Sequence, residues 1–229
     1  MSAFLASLAQ APCLAPAGLL GGRALTVLAP HPDDETLGCG ALLFDAAASG
    51  LPCTVICVTD GSRSHPNSRQ WPAPRLAEER RREFVAAVRI LAPAADLHWL
   101  GHPDCAAPDS AVDAPAVAER IPAGSTVLAT WQGDPHIDHE RVARLARHIG
   151  ALRPDLTFLF YPVWGRFTDR TAPAQRLIAT PAALAAKRRA LAAYRTQMTG
   201  LIDDDPAGFV MEEWRQQHFL THPEVVIAD

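Results

Sequence analysis

Two short stretches concentrate groups that do chemistry. "PHPDDE" carries His31, Asp33, Asp34 and Glu35, and "GDPHIDHE" carries Asp134, His136, Asp138, His139 and Glu140. Three consecutive carboxylates, residues 33–35, repel one another unless a cation or basic groups offset them. Imidazole nitrogens mixed with carboxylate oxygens suit a borderline divalent ion, zinc above all. Catalytic zinc sites commonly take three protein ligands and keep one position for water. His31, Asp34 and His139 would supply two nitrogens and one carboxylate, leaving Asp33 free as a base toward that water. Each stretch alone has a plainer reading as a helix start, where acids are favoured by the dipole and polar side chains cap. Their joint occurrence, each after an apolar run, favours a shared metal site.

The elements that must position these groups are legible from hydrophobic pattern. "ALTVLAP" (24–30), "PCTVICVTDG" (52–61), "DLHWL" (96–100), "STVLATW" (125–131) and "LTFLFYP" (156–162) read as strands. Helices are expected after the first motif to the stop at Gly50, at 76–92, 113–121, 137–150 and 181–198, with a short helix near 209–219 and a last strand at "EVVIA". On the 76–92 helix, Leu76, Phe84, Val88 and Leu91 share one face. Alternating strands and helices imply an α/β, Rossmann-like fold: a mostly parallel sheet, helices on both faces, and ligands at the C-terminal ends of the strands. Neighbouring strands lie about 5 Å apart, so side chains from adjacent strand ends can share an ion. The chain reads as a single domain over 1–229, with an N-terminal extension (1–23) packed on it and a divergent C-terminal segment (200–229).

Composition bounds the function classes. Of 229 residues, 48% are apolar and 20% charged, ordinary for a globular protein. A net charge of −4 gives no basic excess for nucleic acid or anionic membranes. No segment has the roughly 20 apolar residues of a transmembrane helix. The N-terminus lacks the basic start of a signal peptide. Five scattered cysteines (13, 39, 53, 57 and 105) read as free thiols of a cytoplasmic protein. Gly38 and Gly40 give G-x-G after a strand, but the fingerprint's third glycine is missing, and acids stand where a pyrophosphate needs positive potential.

Taken together, "PHPDDETLGCG" and "HIDH" resemble the two metal motifs of the LmbE-like, or PIG-L, family of metal-dependent de-N-acetylases. "VTDG", "LAEERRREF", "LGHPD", "YPVWG" and "AYRTQM" support the likeness, which spans about residues 24–200. The resemblance implies that His31, Asp34 and His139 bind zinc or another divalent ion, and that Asp33 is the general base. It implies that His136 stabilises the tetrahedral intermediate or protonates the leaving amine, that Asp138 orients His136, and that Glu35 is structural. It further implies hydrolysis of a linear amide C–N bond, with loss of acetate from an N-acetylglucosamine-type amino sugar or conjugate.

The polar loop "DGSRSHPNSRQWPAPR" follows the second strand and should overhang the cleft. Arg63 is its candidate for gripping sugar hydroxyls or an anionic group, and Trp71 offers a flat face for a sugar ring. The alternatives are a metal-dependent hydrolase of another amide or of a phosphoester, and a non-catalytic sugar-binding module. Retention of both Asp33 and His136 speaks against the module, because binding alone needs neither a base nor an acid. The expected partner is a small amino-sugar substrate; self-association into a homo-oligomer is left open.

Overall fold

The computed structural model describes residues 2–228. In chain order the elements are α1 (Ala3–Ser7), β1 (Cys13–Leu14), α2 (Pro16–Leu20), β2 (Leu25–Ala29), α3 (Asp34–Ala48), β3 (Cys53–Thr59), α4 (Ala73–Leu91), β4 (Asp96–His102) and α5 (Ala114–Ala118). There follow β5 (Thr126–Thr130), α6 (Ile137–Leu152), β6 (Thr157–Tyr161), β7 (Ala174–Leu177), α7 (Pro181–Leu191), α8 (Arg195–Met198), α9 (Glu213–Thr221) and β8 (Val225–Ile227). The strands form one sheet in the order β1-β7-β8-β6-β5-β2-β3-β4. All neighbours pair in parallel except β8, which runs antiparallel to β6 and β7.

Every residue of β2, β3 and β5 is buried, as strands covered on both faces require. The period of two divides their side chains between the layers. Val27, Val55 and Cys57 join a cluster with Leu42 of α3, Val88 of α4 and Ala190 of α7. Leu28, Ile56 and Val58 join a second cluster with Ala118 of α5 and Val142 and Ile149 of α6. Leu76, Phe84, Val88 and Leu91 of α4 are all buried.

Topology explains where the two motifs meet. From β2 the chain steps outward through β3 to β4, then returns to pair β5 against β2 from the other side. The crevice at such a reversal is where doubly wound sheets bind ligands. "HPDDE" follows β2 and "GDPHIDH" follows β5.

Three features differ from the sequence reading. Residues 13–14 and 174–177 are strands too short for a hydrophobic period to mark them. The expected helix over 181–198 divides, with α7 ending at Leu191 and α8 starting at Arg195. The intervening turn buries Tyr194, whose hydroxyl donates to Glu35 Oε1. Within residues 2–23, Phe4 is buried beside Trp131 and β1 extends the sheet along β7. The five cysteines are free thiols, and no helix among the described residues is long and apolar enough to cross a membrane.

Candidate metal centre and active site

The strand-end turns converge on three atoms. His31 Nδ1 lies 3.2 Å from Asp34 Oδ2, His139 Nε2 lies 3.2 Å from the same oxygen, and the two nitrogens are 3.3 Å apart. A tetrahedral divalent ion with bonds of about 2.0–2.1 Å holds its ligand atoms about 3.3 Å from one another. The near-equilateral triangle therefore fits a zinc-type ion, and the donor set of two imidazoles and one carboxylate fits its chemistry. All three side chains are buried.

The outer nitrogens of both histidines are held by carboxylates, the arrangement that fixes tautomer and ring orientation at metal sites. His31 Nε2 faces Asp138 Oδ2 at 3.0 Å and Asp104 Oδ1 at 3.3 Å. His139 Nδ1 faces Asp134 Oδ2 at 3.2 Å, while the Asp134 carboxylate also accepts the N–H groups of Val163 and Gly165. Burial alone would lower the pKa of His31, but the hydrogen bonds to Asp104, Asp138 and Asp34 raise it well above the usual value. His139 is likewise pushed up to about 9: burial opposes, and Asp34 and Asp134 prevail. Burial would raise Asp34, yet the two histidines hold it far below the usual carboxylate range.

Asp33 occupies the position before α3 with φ 134°, a conformation that costs a non-glycine residue about 1–3 kcal/mol and persists only where its surroundings enforce it. Those surroundings are visible. Glu35 accepts the Asp33 N–H at 3.2 Å, and the buried Arg80 guanidinium donates to Asp33 Oδ2 at 3.3 Å and to Pro32 O at 2.8 Å. Arg80 also donates to Gly61 O at 2.9 Å. Gly61 has φ 61°, and a Cβ there would stand 2.2 Å from the same guanidinium, so only glycine admits Arg80. Burial pushes the Asp33 carboxyl up to about 8 against the pull of Arg80. Glu35 is enclosed by Thr36 Oγ1 and the Tyr194 hydroxyl and braces the turn.

His136 caps α6, its Nδ1 accepting the Asp138 N–H at 3.2 Å. Its neutral ring therefore carries the proton on Nε2. Burial, with His31 and His139 nearby, lowers its pKa to about 4. The family likeness implied that Asp138 orients His136; its carboxylate makes its hydrogen bonds elsewhere. Its oxygens are taken by His31 and by the N–H groups of Cys105 and Ala107. The reason is positional: Asp138 sits in the first turn of α6 and points back across to the loop after β4.

A cleft of about 670 Å³ opens over the centre, lined by His31, Asp33, Asp34, Arg63, Arg80 and His136 on one side. Trp71 is not among its lining residues. Arg75 lies 4.0 Å over its ring, and the Asp204 carboxylate gathers Ser68 Oγ and the N–H groups of Arg69 and Gln70. That tether turns the outer loop toward the C-terminal segment. The cleft is lined further by Trp164, Gln197, residues 207–210 and Glu212. Asp104, Asp134 and Arg80 are participants that sequence reasoning did not assign. Their faint signals were the acids of "GHPD" and "GDP" after strands and an arginine on the buried side of α4.

Known structures share this architecture. The N,N'-diacetylchitobiose deacetylase of Pyrococcus horikoshii, in complex with an inhibitor, is 19% identical, with 92% of this chain and 84% of that chain covered at a TM-score of 0.70. A conserved protein of Thermus thermophilus is 26% identical over 90% of this chain and 94% of that one, at 0.59. A zinc-inhibited form of a teicoplanin deacetylase is 19% identical over 89% of this chain and 97% of that chain, at 0.65. The family model described as PIG-L, GlcNAc-PI de-N-acetylase, matches residues 26–150, from β2 through most of α6 and so across both motifs. More than half of the chain lies within that match, and the chain belongs to the PIG-L family of de-N-acetylases.

Proposed function

We propose that this chain removes an N-acetyl group from an N-acetylglucosamine-type amino sugar or conjugate, using a divalent ion, zinc by preference, held by His31, Asp34 and His139. The observation that carries the reading is the triangle of ligand atoms with Asp33 and His136 on the same cleft. Family membership and the deacetylase activities named for the Pyrococcus and teicoplanin-pathway proteins support the reaction type.

When bound, the ion polarises the amide carbonyl and makes a water at its open position acidic. Asp33 would take a proton from the attacking water, with Arg80 holding the carboxylate in place. His136, protonated on Nε2 because Nδ1 accepts a backbone N–H, donates to the developing oxyanion. As the C–N bond breaks, Asp33 returns the proton to the nitrogen, leaving acetate and an amine. Arg63 contributes to sugar binding from the polar side of the cleft. The five free thiols support a reducing, cytoplasmic setting.

The test is acetate release from a panel of N-acetylated amino sugars with zinc-loaded protein. Asp33→Asn should keep the fold while lowering turnover by roughly two to four orders of magnitude. Near-normal turnover of that variant on the best substrate would remove Asp33 from proton transfer. Phosphate release from sugar phosphates in place of acetate would instead favour a phosphoesterase.

A further inference from the structure

Beyond the catalytic side, the cleft has a wall of different chemistry. Trp164, Ala207, Phe209 and Val210 line it together with Pro66. Trp164 and Phe209 form a T-shaped pair, ring centroids 5.6 Å apart, and both stay only half-buried. Val210 is 37% exposed. This wall is fixed at both ends. The Phe209 N–H donates to Ser64 O at 2.7 Å and the Met211 N–H to Gln197 O at 2.8 Å. Upstream, Asp205 accepts the Asn67 N–H at 2.8 Å.

Charge does not explain the wall. Arg215 and Glu212, which also line it, pair with each other at 2.7 Å, and Arg80 is matched to Asp33. Arg63 is left as the lining arginine whose guanidinium has no carboxylate partner among the described residues. The cleft thus combines the polar motif residues with an aromatic pair, Trp164 and Phe209, and the Arg215 guanidinium that lies 5.5 Å over the Trp164 ring is itself offset by Glu212. Its volume falls mid-range for sites that enclose ligands larger than a single small ring.

We propose that Trp164, Phe209 and Val210 form an aglycone subsite, selecting amino-sugar conjugates that carry a flat apolar group next to the acylated sugar. The proposal rests on the deacetylase reading of the same cleft. An aromatic group packed on such a pair gains roughly tenfold over a methyl group.

The experiment compares kcat/KM for acetate release from aryl and methyl glycosides of N-acetylglucosamine, and measures aryl glycoside binding by calorimetry. Wild type should prefer the aryl glycoside by about tenfold. Phe209→Ala should bring that ratio close to unity and weaken aryl binding, whereas Phe209→Tyr, which keeps the flat ring, should retain both. Equal kcat/KM for the two glycosides in wild type, or an undiminished preference in Phe209→Ala, overturns the subsite. Acetate release from neither glycoside counts against the deacetylase reading. In that case aryl binding lost in Phe209→Ala but kept in Phe209→Tyr still supports the subsite, and absence of aryl binding overturns it.

Discussion

Each histidine of the candidate centre faces inward with one nitrogen and is clamped outward by the other, and this division of labour makes a sharp prediction. Asp138 was expected from the family likeness to orient His136, but its carboxylate lies against His31 Nε2 and accepts the Cys105 and Ala107 N–H groups. An asparagine there would have to turn its NH₂ group toward one of these donors or toward the histidine. If Asp138 acts by holding His31, Asp138→Asn should lower metal affinity by about 10–100-fold, the usual effect of losing an outer carboxylate partner. A competition titration with a chromophoric chelator measures this directly. Unchanged affinity with a reduced kcat would return Asp138 to the role of orienting His136. Asp33 shows a second residue-scale lesson. Its φ of 134° has no mark in the sequence, because strain is a property of the surroundings that Glu35 and Arg80 impose.

At the scale of elements, what was legible followed from periodicity. The buried strands β2, β3 and β5 and the amphipathic α4 and α6 have patterns long enough to read, and the motifs adjoining β2 and β5 carry His31, Asp34 and His139. The parts played by Asp104 and Arg80 were not legible, since they reach the centre from the loop after β4 and from α4 and no spacing along the chain encodes that; Asp134 stood within the second motif, but nothing in the sequence marked it as the partner of His139. Trp71 misled because an aromatic in a loop says nothing of which surface the loop turns toward. The C-terminal α9, outside any aligned pattern, carries its own testable chemistry. His218 is buried on this helix, and its Nε2 accepts from Arg166 Nη1 at 3.2 Å. Burial, then Arg166, His222 and Lys187, lowers its pKa to about 3. An unfolded histidine titrates near 6.5. Between these values the unfolded chain takes up a proton that the folded chain refuses, so this group's contribution is present above about pH 6.5 and is lost progressively as the pH falls toward about 3. His218→Gln, whose carbonyl still accepts from Arg166, should therefore lose less stability than wild type between about pH 7 and about pH 5. Urea titrations at the two pH values measure it; equal losses would show that His218 does not govern this window.

Across the whole molecule, the C-terminus is tied to the helix that begins at the metal motif. Glu224, just before β8, accepts the Ala41 N–H and the Lys187 ammonium at 2.7 Å each and the Leu42 N–H at 2.9 Å. Lys187, on α7, also donates to Leu37 O at 2.8 Å. Two side chains distant in sequence thus bond to one turn of α3, a few residues from Asp34. The G-x-G of that turn serves this packing. A Cβ on Gly38 would stand 2.2 Å from a Tyr161 ring carbon, and one on Gly40 would stand 3.3 Å from Lys187 Cγ. Both charges are buried, Lys187 at 1% exposure and Glu224 at 4%, so each depends on the other to offset the loss of hydration. Removing one partner from such a pair typically costs about 3–5 kcal/mol, because an uncompensated buried charge is left behind. Lys187→Met should show that loss in urea denaturation. Adding Glu224→Gln should recover part of it, since a neutral amide carbonyl can still accept from Ala41 and Leu42 while the stranded charge is gone. A Lys187→Met variant as stable as wild type, or a double variant no more stable than Lys187→Met, would show that the pair does not hold α3 to β8.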